Sequence, residues 1–361
     1  MADEEFGSLW DSVPWQQWDD SPDLSSPKKA VGWYKPSVPY VHGGHELQTL
    51  DVWLPSPSSS PSSPSSPSSS APAAKVEQHT PEQLLLSRKN NGDKWWIVYI
   101  HGGAWCDPDI RADSFGATLH HLLKFPDSLR DIAGVVSLNY TLSPSHHHGG
   151  ATPSRSGKHP DHIVDVLCGL AFVQKVTGFA ENYTLVGHSC GATLAFQVMM
   201  DVARWSSASS PEDQAAAHVP KVCKPCVVIG LDGLYDLPGL INDPGDKHAG
   251  LIPAYDAFTR SAFGDDENTW YDVSPVSVKD WVEEWGPENG TVVLVQSQDD
   301  TLVPYRQLVG MQAALKSSIG ASIGVVELSA SGDHDELWQT GDQIAGIIAE
   351  VLKRRGRLDQ W

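Results

Sequence analysis

From Trp95 onward, short apolar runs alternate with segments of helical period, and this rhythm restricts the fold more than any other feature of the chain. The runs are Trp96–Ile100, Gly134–Asn139, Thr184–Val186, Cys226–Ile229, Thr291–Gln296 and Val325–Leu328, each bounded by Gly, Pro, Asp or Ser. Between them, Ser114–Lys124, Asp161–Thr177, Gly191–Trp205, Pro304–Ser318 and Asp335–Lys353 carry helical spacing. Strands that alternate with helices predict an α/β protein, with a mostly parallel central sheet flanked by helices on both faces. Ligands of open α/β sheets sit beyond the carboxyl ends of the strands. The less periodic stretch 238–290 reads as a cap-like insertion roofing that edge.

Upstream, Leu47–Leu54 reads as an early strand, and Trp10, Trp15 and Trp18 suggest an N-terminal arm pinned by aromatic burial. The sixteen residues Pro55–Ser70 are only Ser and Pro, too poor in apolar surface to offset the entropy of ordering. They predict a disordered insert that continues through Asp93, with one short helical turn at Leu84–Leu86 and the folded core resuming at Lys94. The expected organisation is one domain over 1–361, interrupted at 55–93 and 238–290.

Charge and composition exclude several function classes. Lys and Arg number 25 against 45 Asp and Glu, a formal charge of −20. Such a surface repels nucleic-acid phosphates and anionic lipid. No apolar run approaches the roughly 18 residues of a membrane span. The acidic start, Met1–Glu5, lacks the basic and apolar regions of a secretory signal, so a cytoplasmic protein is expected. Cys106, Cys168, Cys190, Cys223 and Cys226 are too few and odd in number for a disulfide framework and read as free thiols.

The chemistry concentrates in four segments. Gly187-His188-Ser189-Cys190-Gly191 matches G-x-S-x-G, a sharp strand-to-helix elbow whose small flanking residues let a strained backbone expose a serine hydroxyl. Tyr183–Val186 runs in as a strand and Ala192–Met200 runs out as a helix, whose N-terminus favours a developing oxyanion. The plainer alternative for this motif is a glycine-bounded turn whose serine caps the helix. His101-Gly102-Gly103-Ala104-Trp105 follows the apolar strand Trp95–Ile100 directly. Its glycines let the backbone approach a substrate carbonyl, so the Gly103 and Ala104 N–H groups can join that of Cys190 as an oxyanion hole. In the architecture that carries such an elbow, the acid and then the histidine follow the serine in chain order. Asp299 and Asp300 stand at the carboxyl end of the strand Val292–Gln296, and His334 is the only histidine beyond them. His334 at that position would take the Ser189 proton and return it to the leaving group, its tautomer fixed by the acid.

Other features read more plainly. Cys223-Lys224-Pro225-Cys226 lacks the second ligand pair of a zinc site, His146–His148 reads as a surface loop, and no metal is expected. Asp232 and Asp236 could serve as alternative acids, but capping of their turn is the simpler role.

Together HGGAW, NYTLSP (Asn139–Pro144), GHSCGA, QDDTLVP and GDHDEL resemble the α/β-hydrolase superfamily, from Lys94 to the last helix. Within it the chain is similar to kynurenine formamidases of the eukaryotic serine-hydrolase type. HGGAW fits that group's HGGxW pattern, through His101, Gly102, Gly103 and Trp105, where hormone-sensitive-lipase-like esterases carry another glycine. His188 precedes the nucleophile where those esterases carry Asp or Glu. The D-x-x-V-P arrangement from Asp300 to Pro304 resembles the acid loop of related hydrolases and favours Asp300 over Asp299. The resemblance implies hydrolysis of N-formyl-L-kynurenine to L-kynurenine and formate, a step of tryptophan catabolism toward NAD, through a formyl-enzyme and without a cofactor. It also implies a homodimer. Trp105 and Tyr140 would flank an aromatic substrate or belong to the core. A carboxylesterase using the same triad is the alternative. A non-catalytic hydrolase-fold binding protein would be expected to have lost the serine, the histidine or the glycine loop, and this chain has all three. The long N-terminal part and the Ser/Pro insert are not explained by the resemblance.

Overall fold

A computed structural model describes residues 2–19, 30–56, 79–89, 94–145, 149, 151–206, 219–286, 290–319 and 323–354. Nine strands form one sheet: β1 (Gln16–Asp19), β2 (Ala30–Pro39), β3 (Thr49–Pro55), β4 (Trp95–Ile100), β5 (Ile132–Leu138), β6 (Tyr183–His188), β7 (Val227–Leu231), β8 (Gly290–Ser297) and β9 (Ile323–Ala330). Their spatial order is β1-β2-β3-β5-β4-β6-β7-β8-β9. The pairings β1–β2, β2–β3 and β3–β5 are antiparallel, and β5 through β9 are parallel throughout. All six runs read as strands from Trp95 onward are strands here, extended by a few residues. Sequence reading missed β1, at the sheet edge, and β2 beside it, whose half-buried residues lack an apolar run.

Why the central runs are apolar without interruption follows from the two layers they separate. Along β4, Trp96, Val98 and Ile100 pack into one core cluster while Ile97 and Tyr99 pack into the other. Likewise Val292 and Leu294 of β8 face one cluster, and Val293 and Val295 the opposite one. Helices cover both faces, as expected of parallel strands joined by crossovers. Asp161–Thr177 is one helix with the predicted bounds. The predicted helix 191–205 instead ends at Gln197, with a separate short helix Ala203–Ser206. The last predicted helix is likewise two, Glu336–Thr340 and Asp342–Arg354, divided at Gly341, whose φ is +72°.

The N-terminal arm is only partly as expected. Trp10 and Trp15 meet edge to face at 5.6 Å, with the buried Lys35 ammonium over both rings. Trp18, however, sits in β1 and joins the opposite layer, because alternate residues of a strand face opposite ways. The Ser/Pro stretch lies outside the described residues apart from Pro55, which ends β3, and Ser56. The expected excursion through Asp93 also needs correcting over 81–88. Pro81–Arg88 is a helix with a reciprocal Thr80/Gln83 capping box, and Leu84 is buried in the core. Its Arg88 is buried and donates to the carbonyls of Pro55 on β3 and Ala133 on β5. Burial lowers this guanidinium to about 10, so it stays charged at neutral pH.

Arg88 therefore cross-links a helix to two strands. Arg88→Met leaves both carbonyls unpaired, and urea unfolding is expected to show a loss of about 2–3 kcal/mol. Unchanged stability would contradict a structural role for this contact.

Candidate active site

The crossover from β4 runs to β5 on one side, and the next crossover places β6 on the other side of β4. Between β4 and β6 the sheet thus reverses its winding, and the crevice at the carboxyl ends of two such strands is where open α/β sheets bind ligands. The two small-residue loops leave the sheet there. Ile100 pairs with Gly187 in register, so HGGAW and the serine elbow start side by side.

At the elbow, Ser189 has φ +55° and ψ −124°, a conformation unfavourable for a side-chain-bearing residue. Its surroundings fix it: the Ser189 N–H donates to Leu231 O at 2.8 Å, and Ser189 O accepts from Ala192 N–H at 3.0 Å. The glycine at 191 is obligatory because a Cβ there would collide with the carbonyl oxygens of Ile100 and His101. Cys190 opens the helix Cys190–Gln197, so its N–H is among those that a helix leaves without an intrahelical acceptor. Burial pushes the Cys190 thiol up to about 12, so it is no thiolate competing with the serine.

The glycine loop is shaped by three successive positive φ values: +98° at Gly103, +48° at Ala104 and +59° at Trp105. Gly102 approaches the elbow so closely that a Cβ would lie 2.9 Å from His188 Nδ1 and 3.0 Å from Ser189 Cβ. Tyr140 holds the loop from beneath. Its hydroxyl lies 3.1 Å from His101 O, 3.2 Å from Gly102 O and 3.6 Å from Cys190 Sγ, and its ring stacks on His101 at 4.5 Å. The same sulfur accepts from the Trp105 N–H at 3.3 Å. This contact ties the loop to the residue after the nucleophile, beside the Gly103 and Ala104 amides expected in the oxyanion hole.

Trp105 and Tyr140, read either as substrate-flanking or as core residues, are buried side chains here. Trp105 packs against Phe263 at 4.9 Å and Phe258 at 5.9 Å, both from the helix Ile252–Phe263. Thus the segment between β7 and β8 touches the glycine loop. It also reaches the acid loop: His248 Nε2 and Lys247 Nζ contact Asp300 O at 3.2 and 2.8 Å, and Tyr255 donates to Leu302 O at 2.7 Å. Sequence reading did not find Lys247 and His248, since neither belongs to a motif and their partner is a backbone carbonyl.

Asp300 follows β8 and is buried, whereas Asp299 is exposed and donates its N–H to Ser297 Oγ at 3.1 Å. Asp300 Oδ2 lies 2.8 Å from His334 Nδ1, and its Oδ1 accepts from the N–H groups of Leu302 at 2.7 Å and Val303 at 2.8 Å. With Nδ1 committed as donor, Nε2 of His334 is left to accept a proton. Burial lowers the imidazole's proton affinity, but the Asp300 hydrogen bond and charge, with Asp232 and Asp335 behind them, outweigh it, and the His334 pKa is raised. The elbow and the histidine loop are joined through His188. Its ring packs 4.7 Å from that of His334, and its Nε2 lies 3.3 Å from His334 O.

Asp236 caps the helix Leu237–Asn242 by accepting from Gly239 N–H at 2.9 Å, as expected. Asp232 does not cap its turn. It lies fully buried, accepting from Ser297 N–H at 2.9 Å, and brings an oxygen within 4.8 Å of ring nitrogens of His188 and His334. A cation held by these three would compete for the imidazole nitrogen that must receive a proton, so we read them as charge partners. Cys223 is exposed, Cys226 is half-buried, and all five cysteines are free. His146–His148 lies outside the described residues. No helix among the described residues is long and apolar enough to cross a membrane.

The fold and the site together define a hydrolase of the α/β-hydrolase class. Solved structures agree on the fold: a truncated carbohydrate esterase from gut microbiota has a TM-score of 0.54 at 16% identity, covering 93% of this chain and all of that one. Esterase B of Lactobacillus rhamnosis in an inhibited form has a TM-score of 0.53 at 13% identity, over 100% of this chain and 96% of that one. No protein-family model matches the sequence. A kynurenine formamidase-like hydrolase of Fusarium equiseti is 34% identical over 332 residues, 87% of this chain and 93% of the relative. The kynurenine formamidase of Aspergillus versicolor is 31% identical over 269 residues, 72% and 88% of the two chains. The chain belongs to the kynurenine formamidase family.

Tyr140→Phe removes the one hydroxyl that bridges the glycine loop and the elbow while leaving the ring stacked on His101. With p-nitrophenyl acetate, kcat is expected to fall about tenfold with KM little changed, the pattern of a loss confined to the transition state. An unchanged kcat would show that the loop holds its shape without that bridge.

Proposed function

We propose that this chain hydrolyses N-formyl-L-kynurenine to L-kynurenine and formate, with Ser189 as nucleophile, His334 as general base and acid, and Asp300 as the carboxylate that orients the histidine. The observation that carries this reading is the His334–Asp300 hydrogen bond at 2.8 Å beside a strained serine elbow, in a chain 34% identical to a formamidase-like hydrolase. Ser189 Oγ adds to the formyl carbon while His334 Nε2 takes its proton. The tetrahedral oxyanion is received by the N–H groups of Gly103, Ala104 and Cys190. His334 then gives the proton to the departing aryl amine. Water, deprotonated by the same nitrogen, hydrolyses the formyl ester and releases formate, restoring the serine hydroxyl.

The segment 238–290 serves in this reading as a cap on a single-domain hydrolase, since its residues hold both the glycine loop and the acid loop. The family resemblance carries a homodimer into the same proposal.

Purified wild type and Ser189→Ala, each given N-formylkynurenine and p-nitrophenyl acetate, test the assignment. Higher kcat/KM on the formamide, abolished by Ser189→Ala, is the expected result; cleavage of the ester alone would move the assignment to a carboxylesterase. Because the base works only when unprotonated, kcat/KM should fall as pH drops through a pKa above the ordinary 6.5 of histidine. An acid limb centred below that value would contradict the arrangement around His334.

A further inference from the structure

We propose that Asp232 is a second carboxylate of the catalytic histidine, sharing with Asp300 the stabilisation of the imidazolium formed when Ser189 attacks. This inference rests on the triad reading above but not on the identity of the substrate.

The position is costly in two ways that packing does not repay. Asp232 lies just past β7 with φ +43°, in the left-handed region where Gly or Asn sits with less strain. Its carboxyl is fully buried, yet only Oδ1 has a partner, the Ser297 N–H, while Oδ2 has none. Asp300 by contrast has acceptor contacts on both oxygens. An unpartnered buried carboxyl oxygen is ordinarily selected against. What it has nearby is the catalytic imidazole: one oxygen of Asp232, one nitrogen of His188 and one of His334 lie within 4.8 Å of one another.

The charged and titratable groups facing Asp232 come from each neighbouring element. His188 ends β6, Asp300 follows β8, Asp333 and His334 follow β9, and Tyr235 lies on its own loop. Burial raises Asp232 to about 7, and the Asp300 charge pushes the same way while His334 opposes it. Reciprocally, ionised Asp232 raises the His334 pKa. The two groups therefore titrate as a coupled pair. As the imidazole gains the serine proton, the Asp232 carboxylate is favoured, and its negative charge lowers the energy of the imidazolium. Asp300 alone sets the tautomer, since it holds Nδ1.

Asp232→Asn keeps an oxygen for the Ser297 N–H and removes only the charge. Titration of the His334 imidazole by NMR, without substrate, is expected to show its pKa about one unit lower than in wild type, with the acid limb of kcat/KM on p-nitrophenyl acetate moving equally. A purely structural role would lower stability or kcat without moving either titration, and unchanged pKa and limb would overturn the proposal. Adding Asp232→Asn to Asp300→Asn should cost about a further tenfold in kcat near pH 8, the fold-change of one pKa unit. A double variant equal to Asp300→Asn alone would also overturn it. If the Asn variant does not fold, Asp232→Ser supplies the same comparison. Loss of formamidase activity with the NMR shift intact would count against the substrate assignment and leave this inference standing.

Discussion

The site depends on how closely two loops approach at the point where the sheet reverses its winding. HGGAW leaves β4 and the serine elbow leaves β6 from paired positions, and small residues are demanded where their backbones touch. Gly102 faces Ser189 and His188, and Gly191 faces the carbonyls of Ile100 and His101. A methyl group at Gly191 would displace the backbone, and one at Gly102 would press on the His188 and Ser189 side chains. The strain at Ser189 persists because neighbouring β7 holds its amide and the following helix holds its carbonyl.

Around that contact the rest of the molecule acts as a clamp. Tyr140 and the Cys190 sulfur hold the glycine loop from the core side, while Phe258 and Phe263 cover Trp105 from the helical segment between β7 and β8. The same segment grips the acid loop through Lys247, His248 and Tyr255. Trp105 and Tyr140, which the sequence offered either to a substrate or to the core, thus take part in the support of the glycine loop.

Much of this was legible in sequence because the responsible signals are local. Apolar strands buried on both faces read as unbroken runs, and the elbow and the glycine loop each sit directly after one, while His334 stood out as the only histidine beyond Asp300. The edge strand β1 and its neighbour β2 were not legible, since half-exposed strands such as Gln16–Asp19 mix Trp with polar residues and carry no period. The helix over 81–88 was seen only as a turn: its burial depends on Leu84 and Arg88 meeting strands far away in sequence. Asp232 shows the same limit in the site. Its sequence context, an acid after a strand and among glycines, is that of a turn cap, and only the pairing of β7 with β6 and β8 brings it beside His334.

The central claim is that Ser189, set at the crevice between β4 and β6, takes the formyl group. Rapid acid quench of wild type turning over N-formylkynurenine, followed by peptide mass spectrometry, measures this directly. The account predicts a formyl adduct on Ser189 that is absent without substrate. Sustained turnover with no adduct there, or with the adduct on Cys190, would contradict it.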